Sequence, residues 1–163
     1  ELQIAKIFSR KEKYHLVFKS CNVGSKGEEW KWCCECPKCL FVYIILSPFL
    51  SRDELINIFG CDLYEKESLL KTLIELAGYS ETKPFECVGT YSEVRYALSL
   101  VISRTEKLPY LLQYYKDNYP LELDKKLEHE FNDEHNIPQE FLKLVNASGE
   151  SSYKYLQNLY PIL

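Results

Sequence analysis

Along this chain apolar positions recur at helical spacing far more often than they alternate, so helices are expected to carry the fold. Residues 1–9 set Leu2, Ile4, Ala5 and Phe8 among polar neighbours and predict a short amphipathic helix that needs something to lie against. His15 to Phe18, with alternating bulk, predicts a short strand, and residues 22–32, with Gly24, Gly27 and several charges, read as a loop. Pro37 to Leu46 is apolar and aromatic throughout and predicts a buried helix, with Pro37 in its first turn and Pro48 near its end. Ser51-Arg52-Asp53-Glu54 is a capping box for a helix that Gly60 ends. Lys66 to Ala77 places Leu69, Leu70, Leu73, Ile74 and Leu76 on one side of a further helix, with Gly78 after it. Lys83 to Gly89 reads as extended or looped, and Thr90-Tyr91-Ser92-Glu93 opens a helix through about Ser103. Shorter helices are expected near 109–118, 123–131, 138–145 and 152–159. The predicted class is mainly α with a small β element.

Composition narrows the function. With 163 residues, 46% hydrophobic and 14% aromatic, the chain can bury one core but has no room for two large domains. Its formal charge of −4 gathers at the end, where residues 121–163 carry four Lys/Arg against eight Asp/Glu. A protein that grips phosphates needs a basic face, so no nucleic-acid partner is expected. The longest apolar run, Leu40 to Leu50, is about half a membrane span and is broken by Ser47 and Pro48, so no membrane partner is expected either. The opening Glu-Leu-Gln-Ile-Ala-Lys has no methionine, basic n-region or cleavage motif, and reads as a cut inside a longer chain. Seven cysteines, four of them between Cys33 and Cys39, sit too close for a loop-closing disulfide framework. Reduced thiols in a cytoplasmic compartment are expected.

Those thiols are the strongest chemical signal. Cys33-x2-Cys36-x2-Cys39 lets a tight knuckle point its sulfurs at one ion, and Cys21 supplies a fourth ligand for a closed, structural tetrahedral zinc site. Cys34 faces away in any knuckle that aims Cys33 and Cys36 inward, although sets pairing it with Cys36 or Cys39 stay open, as do an iron–sulfur cluster and plain core cysteines. Four thiolates on Zn²⁺ leave two negative charges, for which backbone N–H groups and Lys31 and Lys38 are the expected partners.

Ser20-Cys21 followed by Cys33-x2-Cys36-x2-Cys39 resembles the C-terminal zinc knuckle of the PP-loop superfamily, as in 7-cyano-7-deazaguanine synthases. Longer strings are more specific. Phe18-Lys19-Ser20-Cys21-Asn22, Cys36-Pro37-Lys38-Cys39-Leu40-Phe41-Val42, Ser47-Pro48-Phe49-Leu50, Ile58-Phe59-Gly60 and Lys83-Pro84-Phe85-Glu86-Cys87-Val88-Gly89 resemble the C-terminal part of the MurL-type epimerases. That family inverts the terminal L-glutamate of UDP-N-acetylmuramoyl-L-alanyl-L-glutamate, using ATP and magnesium, for peptidoglycan synthesis. The resemblance covers about residues 1–100; the last 60 or so carry no placeable motif, and the chain is read as a helical bundle-like C-terminal domain with 1–104 as the zinc-knuckle part and 105–163 as a helical extension packed on it. The resemblance implies an upstream PP-loop ATP-binding domain of the same polypeptide and a UDP-muramoyl dipeptide substrate for the full enzyme. No Ser-Gly-Gly-x-Asp-Ser or Gly-x4-Gly-Lys-Ser/Thr loop occurs among the six glycines, so ATP and Mg²⁺ are not expected to bind this chain alone, which should be inactive.

If the family reaction passes through an adenylated carboxylate, a base must take the acidified glutamate α-hydrogen from one face before a proton returns on the other. Lys83, Glu86 and Cys87 are the candidates, Lys83 for a phosphate or carboxylate and Glu86 or Cys87 for proton transfer. The competing reading packs Phe85, Cys87 and Val88 into the core. Cys61 and the tyrosines at 110, 114, 115 and 119 read as packing, and His15 as a hydrogen-bonded core histidine. The acidic run Glu128-His129-Glu130 with Asp133-Glu134-His135 reads as a solvated face. Two functions from other classes compete with the enzyme fragment. One is a stand-alone zinc-stapled protein-interaction module, and the other a nucleic-acid reader using Lys6, Arg10, Lys11, Lys13 and Lys19 with Trp30 and Trp32.

Overall fold

The computed structural model describes residues 1–26, 31–84 and 88–123, together with Leu127, Asn136, Pro138 and 140–142. Among them the helices in chain order are α1 (Leu2–Ser9), α2 (Pro37–Leu46), α3 (Arg52–Phe59), α4 (Leu70–Leu76), α5 (Tyr91–Arg104) and α6 (Tyr110–Asn118), with short 3₁₀ turns between them and no strand. The mainly helical class is the one expected.

The most apolar segment takes the centre. In α2, Cys39, Leu40, Phe41, Tyr43, Ile44, Ile45 and Leu46 are all buried, and a helix apolar on every side satisfies that surface only by being surrounded. α1, α4 and α5 pack directly on it, and α6 lies against α5 and the 3₁₀ turn Leu63–Glu65. α3 adds Leu55, Ile58 and Phe59 to the same core. Contacts divide the chain into two compact units, Glu1–Glu128 and His129–Leu163. All six helices belong to the first; in the second, Phe141 N–H donates to the Pro138 carbonyl at 2.9 Å. No helix among the described residues is long and apolar enough to cross a membrane.

Helix ends follow the capping residues. Ser51 Oγ accepts the Glu54 N–H at 3.3 Å while the Glu54 carboxylate takes the Ser51 N–H at 2.7 Å. Thr90 and Glu93 repeat the arrangement at 3.3 and 3.0 Å. Gly60 closes α3 in the left-handed region, φ +87°, where a side chain would be strained. Ser51→Ala and Thr90→Ala are each expected to cost about 1 kcal/mol, read as a lower denaturant midpoint with unchanged slope.

Two expectations are corrected. His15 to Phe18 is a turn, in which Phe18 N–H donates to the Tyr14 carbonyl at 2.9 Å and Leu16 and Val17 are 58% and 70% exposed. Alternation makes a strand only where a neighbouring strand takes up the backbone groups, and none is described here. The helix expected over Lys66 to Ala77 begins only at Leu70, because Lys66 is extended (φ −85°, ψ 104°) and splits the preceding residues into two 3₁₀ turns. The helices expected at 123–131 and 152–159 fall almost wholly outside the described residues, and of 138–145 only 140–142 are described as helical. The acidic run from Glu128 to His135 also lies outside the described residues.

Candidate metal centre

Two short segments bring four sulfurs to one point. Cys36 is the N-cap of α2, Pro37 takes the first helical position, and Cys39 follows at N3. Cap and N3 are the positions whose side chains meet in a capping box. Here two thiols occupy them, with sulfurs 3.5 Å apart. Just before the helix, Cys34 adopts φ +58°, rare for a residue other than glycine, and this left-handed step folds the chain back over Cys33. The backbone N–H groups of Glu35 and Cys36 then reach the Cys33 sulfur. Cys21 arrives from the other side, its sulfur accepting the Gly24 N–H at 3.1 Å and the Cys33 N–H at 3.4 Å.

The sulfurs of Cys21, Cys33, Cys36 and Cys39 all lie within 4.8 Å of one another. Cys33 to Cys39 is 3.7 Å and Cys21 to Cys36 is 3.9 Å. A tetrahedron with metal–sulfur bonds of about 2.3 Å has sulfur–sulfur edges of about 3.8 Å, whereas a disulfide needs about 2.05 Å. The set therefore fits a tetrahedral ion, and the thiols are free rather than bridged. The sulfur–sulfur hydrogen bond with Cys39 holds Cys36 down at about 5 against the opposing effect of burial. The same bond, with burial, pushes Cys39 up. N–H donors on the sulfurs and the N-terminal end of α2 both favour negative charge at this point.

Cys34 stands apart from the four. Its thiol points to the Phe59 carbonyl at 3.2 Å, and burial, then contact with Cys61, pushes it up to about 12. Among the described residues, the set of sulfurs that could share one ion is Cys21, Cys33, Cys36 and Cys39, without Cys34. His15 is buried and bonds the Phe8 carbonyl through Nε2 at 3.1 Å, as a core histidine does. Phe8, Phe18, Trp32 and Phe59 follow one another ring to ring, with centroids 4.9, 5.6 and 4.4 Å apart. Tyr115 is buried and Tyr119 stacks on Tyr79 at 4.2 Å, so those two tyrosines pack as expected, while Tyr110 is exposed.

Lys31, expected beside the thiolates, is exposed, and Lys38 is half-buried. Lys66, which the sequence did not single out, instead donates to the Cys34 carbonyl at 3.0 Å and pairs with Glu35, tying the knuckle to the 3₁₀ turns that precede α4. Gly24 is the other residue missed. A Cβ there would stand 1.7 Å from the Lys31 carbonyl oxygen and 3.4 Å from the Cys21 sulfur. Its loop position was legible, but the close approach depends on where Lys31 returns.

Of the catalytic candidates, Glu86 and Cys87 lie outside the described residues. Lys83 donates to the Gly89 carbonyl at 2.9 Å and lies over the Tyr91 ring at 4.9 Å, bracing the segment that leads into α5.

The chain matches the model of the MurL C-terminal domain over residues 17–148, a span holding all four clustered cysteines. A Micromonospora protein named UDP-N-acetyl-alpha-D-muramoyl-L-alanyl-L-glutamate epimerase is 40% identical over 108 residues, covering 65% of this chain and 24% of the relative. Proteins of the same name from Salinispora tropica and Xanthomonas oryzae are 44% identical over 103 residues and 36% over 110 residues, covering 62% and 65% of this chain and 22% and 24% of their own lengths. The chain thus spans about a quarter of the curated relatives it matches. No solved structure matches it significantly. On the extent of that family match and the helical fold around its cysteines, the chain belongs to the MurL C-terminal domain family.

Proposed function

We propose that this domain is the zinc-stapled C-terminal part of an ATP-dependent epimerase that inverts the terminal L-glutamate of UDP-N-acetylmuramoyl-L-alanyl-L-glutamate, in the cytoplasm, for peptidoglycan synthesis. The names of the relatives support the reaction, and the convergence of four sulfurs within 4.8 Å carries the metal assignment. Cys21, Cys33, Cys36 and Cys39 would hold the ion. Zinc bound by four protein thiolates has no open position for a substrate, so its contribution is structural. The protein's part is to close the 22–32 excursion onto the start of α2 and to aim N–H donors at the sulfurs. Thiols must lose their protons to bind, so zinc occupancy is expected to fall as pH falls.

ATP and Mg²⁺ belong, in this reading, to an upstream PP-loop domain of the same polypeptide. Lys83, Glu86 and Cys87 form the segment proposed to face the glutamyl substrate, with Lys83 placing a cation for a carboxylate or phosphate and Glu86 or Cys87 moving the α-proton. This chain alone, incubated with ATP and the L-glutamyl substrate beside the full-length Salinispora tropica relative, is expected to release no AMP and form no D-glutamyl product. Turnover by the chain alone would overturn the division of labour.

A further inference from the structure

An amphipathic helix on the outside of a monomer turns its polar side to water. α1 does not. Leu2 and Ala5 are buried against the core, yet Ile4 and Ile7, one turn apart, are 63% and 38% exposed. Beyond the helix Leu16 and Val17 are 58% and 70% exposed on the turn that leads to Phe18. Between α1, Phe18 and α2 lies a cleft of about 140 Å³, bounded by Ile4, Phe8, Phe18, Phe41, Ile45 and Leu46. Single exposed apolar residues need no explanation, but an apolar cleft walled by the exposed Ile4, with Ile7 on the same helix and Leu16 and Val17 on the turn after it, marks a contact surface.

We infer that this cleft and the outer side of α1 are the docking face for the part of the epimerase polypeptide that precedes the MurL C-terminal domain. The inference rests on the reading under Proposed function and adds the surface to it. Two observations choose this occupant. The family match begins at residue 17, so α1 lies ahead of the family domain although it packs into that domain's core. The relatives are about four times the length matched here, so most of such a polypeptide is still to be placed against something. The region is also basic, with Lys6, Arg10, Lys13 and Lys19 on α1 and the turn after it. The fitting partner surface is apolar at its centre with acidic residues around it.

Hydroxyl-radical footprinting of the 163-residue chain and of the whole epimerase polypeptide tests this. Ile4, Leu16 and Val17 should be labelled readily in the chain alone and at least about threefold less in the whole polypeptide, as desolvation at an interface core requires. Tyr110 and Leu121, which are exposed elsewhere on the chain, should be labelled equally in both. Equal labelling of Ile4 and Val17 in the two proteins would overturn the inference. So would protection spread evenly over Tyr110 and Leu121, or protection in the chain alone that rises with its concentration, which would make the occupant a second copy. The readout does not involve turnover, so a wrong reaction assignment would show in the AMP assay and leave this result standing.

Discussion

Cys39→Ser is expected to strip the chain of its metal and its fold together, whereas Cys34→Ser keeps both. The two thiols are five residues apart and similarly buried, 0% and 6% exposed, so burial alone would make the substitutions similar. The proposed ligation separates them. Cys39 stands 3.5 and 3.7 Å from two other sulfurs of the set, while Cys34 turns its thiol to the Phe59 carbonyl, a contact that a serine hydroxyl can also make. Structural zinc sites bind with about 10–16 kcal/mol, comparable to the whole stability of a domain at about 5–15 kcal/mol. On the proposed zinc site, losing one ligand would therefore remove most of what holds the N-terminal half closed. Circular dichroism and metal analysis of the two variants should show a largely unfolded, zinc-free Cys39→Ser and a folded Cys34→Ser with one zinc per chain. Equal behaviour of the two would remove Cys39 from the ligand set.

Gly24→Ala is expected to have the second-largest effect, although it changes one half-buried loop residue by one methyl group. The atoms that a Cβ would meet, 1.7 and 2.8 Å away, are the Lys31 carbonyl oxygen and carbon. Both are backbone, so no side-chain rotation relieves the clash and the loop must open. Opening it withdraws the Gly24 N–H from the Cys21 sulfur, a donor of the kind whose loss typically costs about 10–100-fold in metal affinity. The strain adds about 1–3 kcal/mol of destabilisation. Chelator competition and thermal melting should both register it, and wild-type affinity with a wild-type melting temperature would contradict the close packing of this loop.

Much of this was legible from local chemistry. Pro37, the two Ser/Thr-x-x-Glu boxes and Gly60 each act within one turn of chain, and α2, α3 and α5 begin or end where they say. The cysteine spacing was legible for the same reason, because a knuckle is a local turn with a chemical purpose. What stayed hidden depends on contacts distant in sequence. Tyr43 donates to Asp62, which also holds Arg52 and the Tyr64 N–H, a network joining α2, α3 and the following turn that no periodicity announces. The exclusion of Cys34 depends on a φ of +58° and on Phe59, twenty-five residues on. The false strand at His15 to Phe18 shows the converse error. Its alternating bulk is real, but Phe18 turns inward onto Phe8 and Trp32 while Leu16 and Val17 stay outside.

The central claim is that four cysteines close on one zinc ion. X-ray absorption at the zinc edge, on protein purified without added metal, tests it most directly. The account predicts one zinc per chain inside a shell of four sulfurs at about 2.3 Å. A fully folded chain with no zinc, or a shell containing oxygen or nitrogen in place of a sulfur, would contradict it.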